Sequence, residues 1–111
     1  MDSILTTIKK LLGIEADYTQ FDGDIIVHIN TVLMTLYQLG VGPDSPASIT
    51  NEMDTWEQIF GEEKNIEAIK TYIYLKVKMI FDPPTSSFVL DAMNKQANEL
   101  EWRLNVQTEM K

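Results

Sequence analysis

Apolar residues recur at three- and four-residue spacing through most of the chain, which predicts helices that each bury a face. Residues 65–81 carry the pattern twice. Ile66, Ile69, Ile73, Val77 and Ile80 form one face. Ala68, Tyr72, Leu75 and Met79 form a second, roughly 140° away at about 100° per residue. One stripe suffices for the core of a small domain. The second therefore packs against a neighbouring subunit, or the helix is central and its siblings cover both sides. Asn65 is the expected cap at its start. Asp82-Pro83-Pro84 stops it, because proline disfavours helical geometry in the residue before it and cannot continue the hydrogen-bond ladder.

Three further helices follow from the same spacing. Over residues 3–12, Ile4, Leu5, Ile8, Leu11 and Leu12 share a face. Asp2 or Ser3 caps the first turn, Lys9 and Lys10 complement the negative end of the dipole, and Gly13 takes the closing position. Over residues 22–39, Ile25, Ile29, Val32, Leu33, Leu36 and Leu39 form the core stripe, Val27 and Met34 lie opposite, and Gly40 ends the helix. Ser86 or Ser87 caps a helix over 87–106, with Val89, Met93, Gln96, Ala97, Leu100 and Leu104 on its core side. Phe88, Ala92, Trp102 and Val106 fall on the other side. Trp102 is there either folded under the loop or an anchor for a partner. Residues 107–111 have no pattern and are expected to fray as a flexible tail.

Between the second and third of these helices lies a long loop, 41–64, opened by the turn chemistry of Val41-Gly42-Pro43-Asp44-Ser45-Pro46. Ser48–Thr50 is a candidate extended segment. Asp54 is the expected cap of a short helix, with Glu57 in the capping-box position, running through Phe60 to Gly61. Trp56, Ile59 and Phe60 give the loop an apolar anchor, so it is expected to be partly ordered. The prediction is a single all-α domain over 1–111: a small bundle of four main helices with a long, partly ordered loop.

At 111 residues the chain has room for one domain. It has no cysteine, which removes disulfides and thiolate metal sites. No apolar run approaches the roughly 18 residues of a membrane span, and the N-terminus lacks the features of a signal peptide. A soluble, intracellular protein is the expectation. The net charge of −8 is uneven: residues 41–67 hold seven acids against one lysine, whereas 68–111 hold six basic residues against five acids. Such a chain is poorly suited to gripping nucleic-acid phosphates, which takes cationic side chains. It suits a surface past which DNA slides, or serves solubility alone.

Candidate chemistry is sparse. His28 is the only histidine, and a metal site needs several convergent ligands. Asp22-Gly23-Asp24 lacks the rest of a calcium loop, notably its bidentate glutamate, and helix N-terminal acids explain both carboxylates. Ser45 is not in a nucleophile elbow, and no glycine-rich phosphate loop occurs. Lys70, Lys76 and Lys78 point in different directions around one helix. No catalytic residue, cofactor or metal is expected.

The runs YIYLKVKMIFDPP at 72–84 and NELEWRLNV at 98–106 resemble the head–tail connector (head-completion adaptor) proteins of long-tailed bacteriophages. SILTTIKKLLGI at 3–14 and DIIVHIN at 24–30 are similar to them as well. The resemblance covers about 1–40 and 65–106, and loop 41–64 matches loosely. It implies an all-helical structural protein of the virion, placed at the head–tail interface and assembled in the host cytoplasm. About a dozen copies would form a ring beneath the portal protein, extend the DNA channel, and present a platform to the next tail component. DNA would pass without specific binding, and no membrane is involved. The resemblance also implies portal docking through the C-terminal part, here Trp102, Arg103, Leu104 and Val106 onward to Lys111. The acids of the loop, among them Asp44, Glu52, Asp54 and Glu57, would face the lumen or the tail side. Ala68, Tyr72, Leu75 and Met79 are the candidate contact between ring subunits. Two other classes stay open: a small acidic regulatory module or DNA mimic, and another assembly role such as a tail-assembly factor or small terminase component. The last is disfavoured by the lack of a basic recognition helix.

Overall fold

The computed structural model describes residues 2–109. Five helices follow in order: α1 (Ile4–Leu11), α2 (Asp22–Gln38), α3 (Trp56–Phe60), α4 (Ile66–Phe81) and α5 (Ser87–Glu109). Among the described residues there is no strand, only an isolated antiparallel bridge between Ser3 and Thr55. The fold is therefore mostly helical, with a short fifth helix inside the loop.

Local chemistry starts the helices. Ser3 Oγ accepts the Thr6 N–H at 3.2 Å and begins α1. Ser86 Oγ accepts the Val89 N–H at 3.3 Å and begins α5. Two expected caps are filled differently. Asn65 stands before α4 but makes no side-chain cap bond. At α3 the cap is Thr55, not Asp54: Thr55 Oγ1 accepts the Gln58 N–H and Gln58 Oε1 accepts the Thr55 N–H. Asp54 instead turns back on the loop, accepting the N–H groups of Thr50 (2.7 Å) and Asn51 (3.3 Å).

α4 is the central helix, packed on α1 and α2 and also on α5. Ile69, Ile73 and Val77 are fully buried, and so is Tyr72 of the second stripe. The Tyr72 hydroxyl donates to Glu101 Oε2 on α5 at 2.7 Å. α5 thus covers Tyr72, at the middle of the second stripe, within the same subunit. Some stripe ends overrun the core: Leu11, Ile80, Val89 and Gln96, all expected on core faces, are exposed.

The segment between α2 and α4 is docked rather than loose. Asn30 of α2 pairs with the backbone of buried Ile49 in both directions, donating to its C=O at 3.0 Å and accepting its N–H at 2.7 Å. No strand forms at Ser48–Thr50, because a side chain takes the place of a partner strand. Trp56 Nε1 donates to Thr7 Oγ1 of α1 at 3.0 Å, and the Ile4 N–H donates to the Asp54 carbonyl. Gly42 has φ +97°, and a Cβ there would lie 2.9 Å from the Phe60 ring. This turn therefore takes glycine for both its backbone conformation and its close approach.

Lys9 is not a solvated dipole partner. It is 2% exposed. Its Nζ donates to the carbonyls of Ala16 (3.1 Å) and Tyr18 (2.7 Å) and sits 2.8 Å from Asp22 Oδ1. One ammonium group thereby closes the α1–α2 connection and accounts for Asp22. At the other end, the expected tail continues as helix to Glu109. Asn105 Nδ2 donates to the Leu39 carbonyl at 3.2 Å, and Thr108 packs against Gly40, so the C-terminal end of α2 holds the last turn of α5. Met110 and Lys111 lie outside the described residues.

Candidate functional site

The side chains that could carry chemistry are scattered. His28 is half-buried with its ring 6.4 Å from that of Phe81. Asp22 is taken by Lys9. Among the described residues, no group of three or more His, Cys, Asp or Glu residues could hold a metal ion, and no helix is long and apolar enough to cross a membrane. The features that call for a partner are surfaces.

Of the expected subunit contact, Tyr72 is 0% exposed, Leu75 is buried, and Ala68 and Met79 are half-buried. Tyr72 and Leu75 are thus withdrawn from the subunit surface, Tyr72 by its contact with α5. Burial, reinforced by the Glu101 carboxylate, pushes the Tyr72 phenol above its ordinary value. The hydrogen bond is that of a neutral phenol to a carboxylate, a strong class.

The C-terminal candidates divide by helical phase. Leu104 is 3% exposed and belongs to the core, so it is removed from a docking face. Trp102 is 67% exposed: the loop does not fold over it. Arg103 is exposed and paired with Glu99 one turn back at 3.1 Å, and Val106 is half-buried. Ala68 and Asn65 at the start of α4, with Leu100, Leu104 and Val106 of α5, line an open cleft of about 330 Å³ beside Trp102.

The outer side of α5 presents unpartnered apolar side chains. Phe88 in its first turn is 83% exposed. With Ala92, Trp102 and half-buried Val106 it forms the stripe predicted opposite the core face. Val27 and Met34 on α2 are likewise exposed. Periodicity in the sequence located these residues, but it could not reveal the cleft, which needs α4 and α5 side by side.

Of the loop acids, Asp44, Glu52 and Glu57 are exposed and carry no ion pair among the described residues. Asp54 differs. The Thr50 N–H, acting against partial desolvation and aided by Asn51, holds its carboxyl below the usual value. Its role is to brace the loop.

Among the described residues no cluster of side chains forms a metal or chemical centre, and exposed Phe88 and Trp102 on one side of α5, with an acidic loop, fit a protein that works by assembly. A family model described as phage connector protein matches residues 4–111, nearly the whole chain. No curated protein and no solved structure matches it. On the extent of that family match, the chain belongs to the phage connector protein family.

Proposed function

We propose that copies of this chain form a ring beneath the portal at the head–tail junction of a phage particle. The ring extends the DNA channel and offers the next tail component a platform. The observation that carries the reading is the outer side of α5, where Phe88 and Trp102 stay uncovered in the subunit. Aromatic side chains concentrated on one side of a terminal helix are typical anchors of protein contacts. With Tyr72 and Leu75 buried inside the subunit, the lateral contact moves to the Phe88 end of this outer side. Trp102, Arg103 and Val106 remain the candidates for portal docking. Asp44, Glu52 and Glu57 are the candidates for the lumen wall, where like charge keeps passing DNA from sticking.

The test is electron microscopy of the purified protein, alone and mixed with portal-bearing capsids. The expected result is a ring stacked on the portal vertex, lost with Trp102→Ala while the helical circular dichroism is retained. Capsids left bare by the folded wild-type chain would refute the reading.

A further inference from the structure

We propose that the first turns of α5 in one copy, led by Phe88, pack on the outer face of α2 in the next copy. The inference rests on the ring reading above and names the second half of its lateral contact.

On α2, Val27, Thr31 and Met34 stand in a row on the side away from the core residues Ile25, Ile29, Val32 and Leu36. With Asn30 and Thr35 beside them they line a shallow open groove. Val27 is 61% exposed and Met34 45%. The two lie about 10 Å apart along the axis at 1.5 Å per residue. The short Thr31 between them leaves a dip for one aromatic ring.

The polar side chains of this groove are already engaged inside the subunit. Thr31 Oγ1 donates to the Val27 carbonyl at 3.0 Å, and Thr35 Oγ1 to the Thr31 carbonyl at 3.3 Å. Asn30 holds both backbone groups of Ile49. An apolar group laid on the groove breaks none of these bonds and leaves both hydroxyl protons paired.

Nor does covering the groove desolvate a charge. Residues 25–43 contain no Asp, Glu, Lys or Arg, the longest such run in the chain. His28, within that run, turns to the Phe81 ring instead. Such a face selects an uncharged apolar occupant, since a charge pressed on it would lose water and gain no partner. The next longest run without those four residue types is 83–90. It carries Phe88 and Val89, both exposed. The first charges beyond it, Asp91 and Lys95, neutralise each other at 3.2 Å. The two longest uncharged stretches of the chain thus hold the two apolar surfaces, and each suits the other.

A subunit cannot make this contact with itself. α2 and α5 meet where Asn105 donates to the Leu39 carbonyl, at the ends remote from Val27 and Phe88. Otherwise each packs its core side on α4, so their outer faces point away from one another. One copy offers the ring and the next the groove. The contact is heterologous and propagates until the rotation closes it. Trp102, Arg103 and Val106, at the other end of α5, stay free for the portal.

The chain has no cysteine, so introduced cysteines report the contact. Thr31→Cys, in the groove, and Ala92→Cys, one turn after Phe88, leave the aromatic ring in place. Each variant is treated with a short bismaleimide alone and after mixing, one of the two carrying a mass tag, both free and on portal-bearing capsids. The expected product is a covalent dimer of the two different variants, formed only in the mixture. Joining of either variant to itself, or of Thr31→Cys to a portal or tail protein, would overturn the proposal. So would rings in the microscope without the mixed dimer, and there the ring reading would survive. Absence of both rings and cross-links would overturn both. Thr31→Asp sets a charge in the middle of the groove, and Phe88→Ser removes the ring. Each should keep the thermal midpoint of the subunit and raise the concentration for half-assembly at least about tenfold. Unchanged assembly in either variant would also overturn the contact.

Discussion

Tyr72→Phe removes one oxygen from the centre of the molecule and tests the clamp between α4 and α5. The ring is 0% exposed, so its packing is preserved, and only the 2.7 Å bond to Glu101 is lost. A hydrogen bond to a charged acceptor contributes about 1.5–3 kcal/mol when buried. Glu101 is half-buried and keeps some contact with water, so the expected loss is about 1–2 kcal/mol. At about 2.1 cal/mol/K of unfolding entropy per residue, a chain of this length has about 0.23 kcal/mol/K, and the midpoint should fall by roughly 4–9 °C. Thermal circular dichroism at neutral pH measures this. Glu101→Ala and the double variant complete a cycle whose coupling energy should be about 1 kcal/mol or more. Coupling within error of zero would refute the clamp. Tyr72→Asp separates the two roles considered for this stripe: global unfolding is expected of a central helix, whereas a folded monomer unable to assemble would restore Tyr72 to a subunit interface.

The raised phenol makes a pH prediction. The fold holds Tyr72 protonated, so its contribution is complete below the ordinary tyrosine value of 10.0 and declines as pH rises above it, where the unfolded phenol ionises and the folded one does not. Absorbance at 295 nm should show one of the four tyrosines ionising only as the helical signal is lost, and Tyr72→Phe should remove that step. Asn30→Ala leaves the buried Ile49 N–H and C=O without partners and should destabilise by about 2–3 kcal/mol. Hydrogen exchange should show the Ile49 amide losing protection while the α4 amides keep theirs at low denaturant. Lys9→Ala strands Asp22 and two carbonyls and should cost about 3 kcal/mol in urea unfolding, whereas Lys10→Ala, on the exposed neighbour, should stay within about 0.5 kcal/mol.

Membership of the connector family joins these details to function through one contrast. The inner side of α5 is spent on holding the subunit together, through Ala97, Leu104 and the Tyr72–Glu101 bond. On its outer side Phe88 and Trp102 stay exposed, and the contacts there are the surface ion pairs Asp91–Lys95 and Glu99–Arg103. If the proposed ring uses that outer side, it would form or come apart without unfolding its members.

Helix limits were legible in the sequence because they are set by groups within about four residues of one another: the Ser3 and Ser86 hydroxyls, Gly40 after α2, and the Asp82-Pro83-Pro84 stop. The same holds for which residues share a face, since the 3.6-residue period is a property of the backbone alone. What lies opposite a face is not local, and there the tertiary structure decided. It laid α5 over Tyr72 and buried Leu75, both of which the two-stripe pattern equally allowed for a subunit contact. It buried Lys9, whose place beside Lys10 reads as a surface pair until the carbonyls of Ala16 and Tyr18 come round to meet it. It gave the cap of α3 to Thr55 and turned Asp54 onto the loop, a choice between adjacent residues settled by which backbone groups were in reach. It also made the cleft beside Trp102, because a hollow belongs to two helices at once and the periodicity of either one cannot contain it.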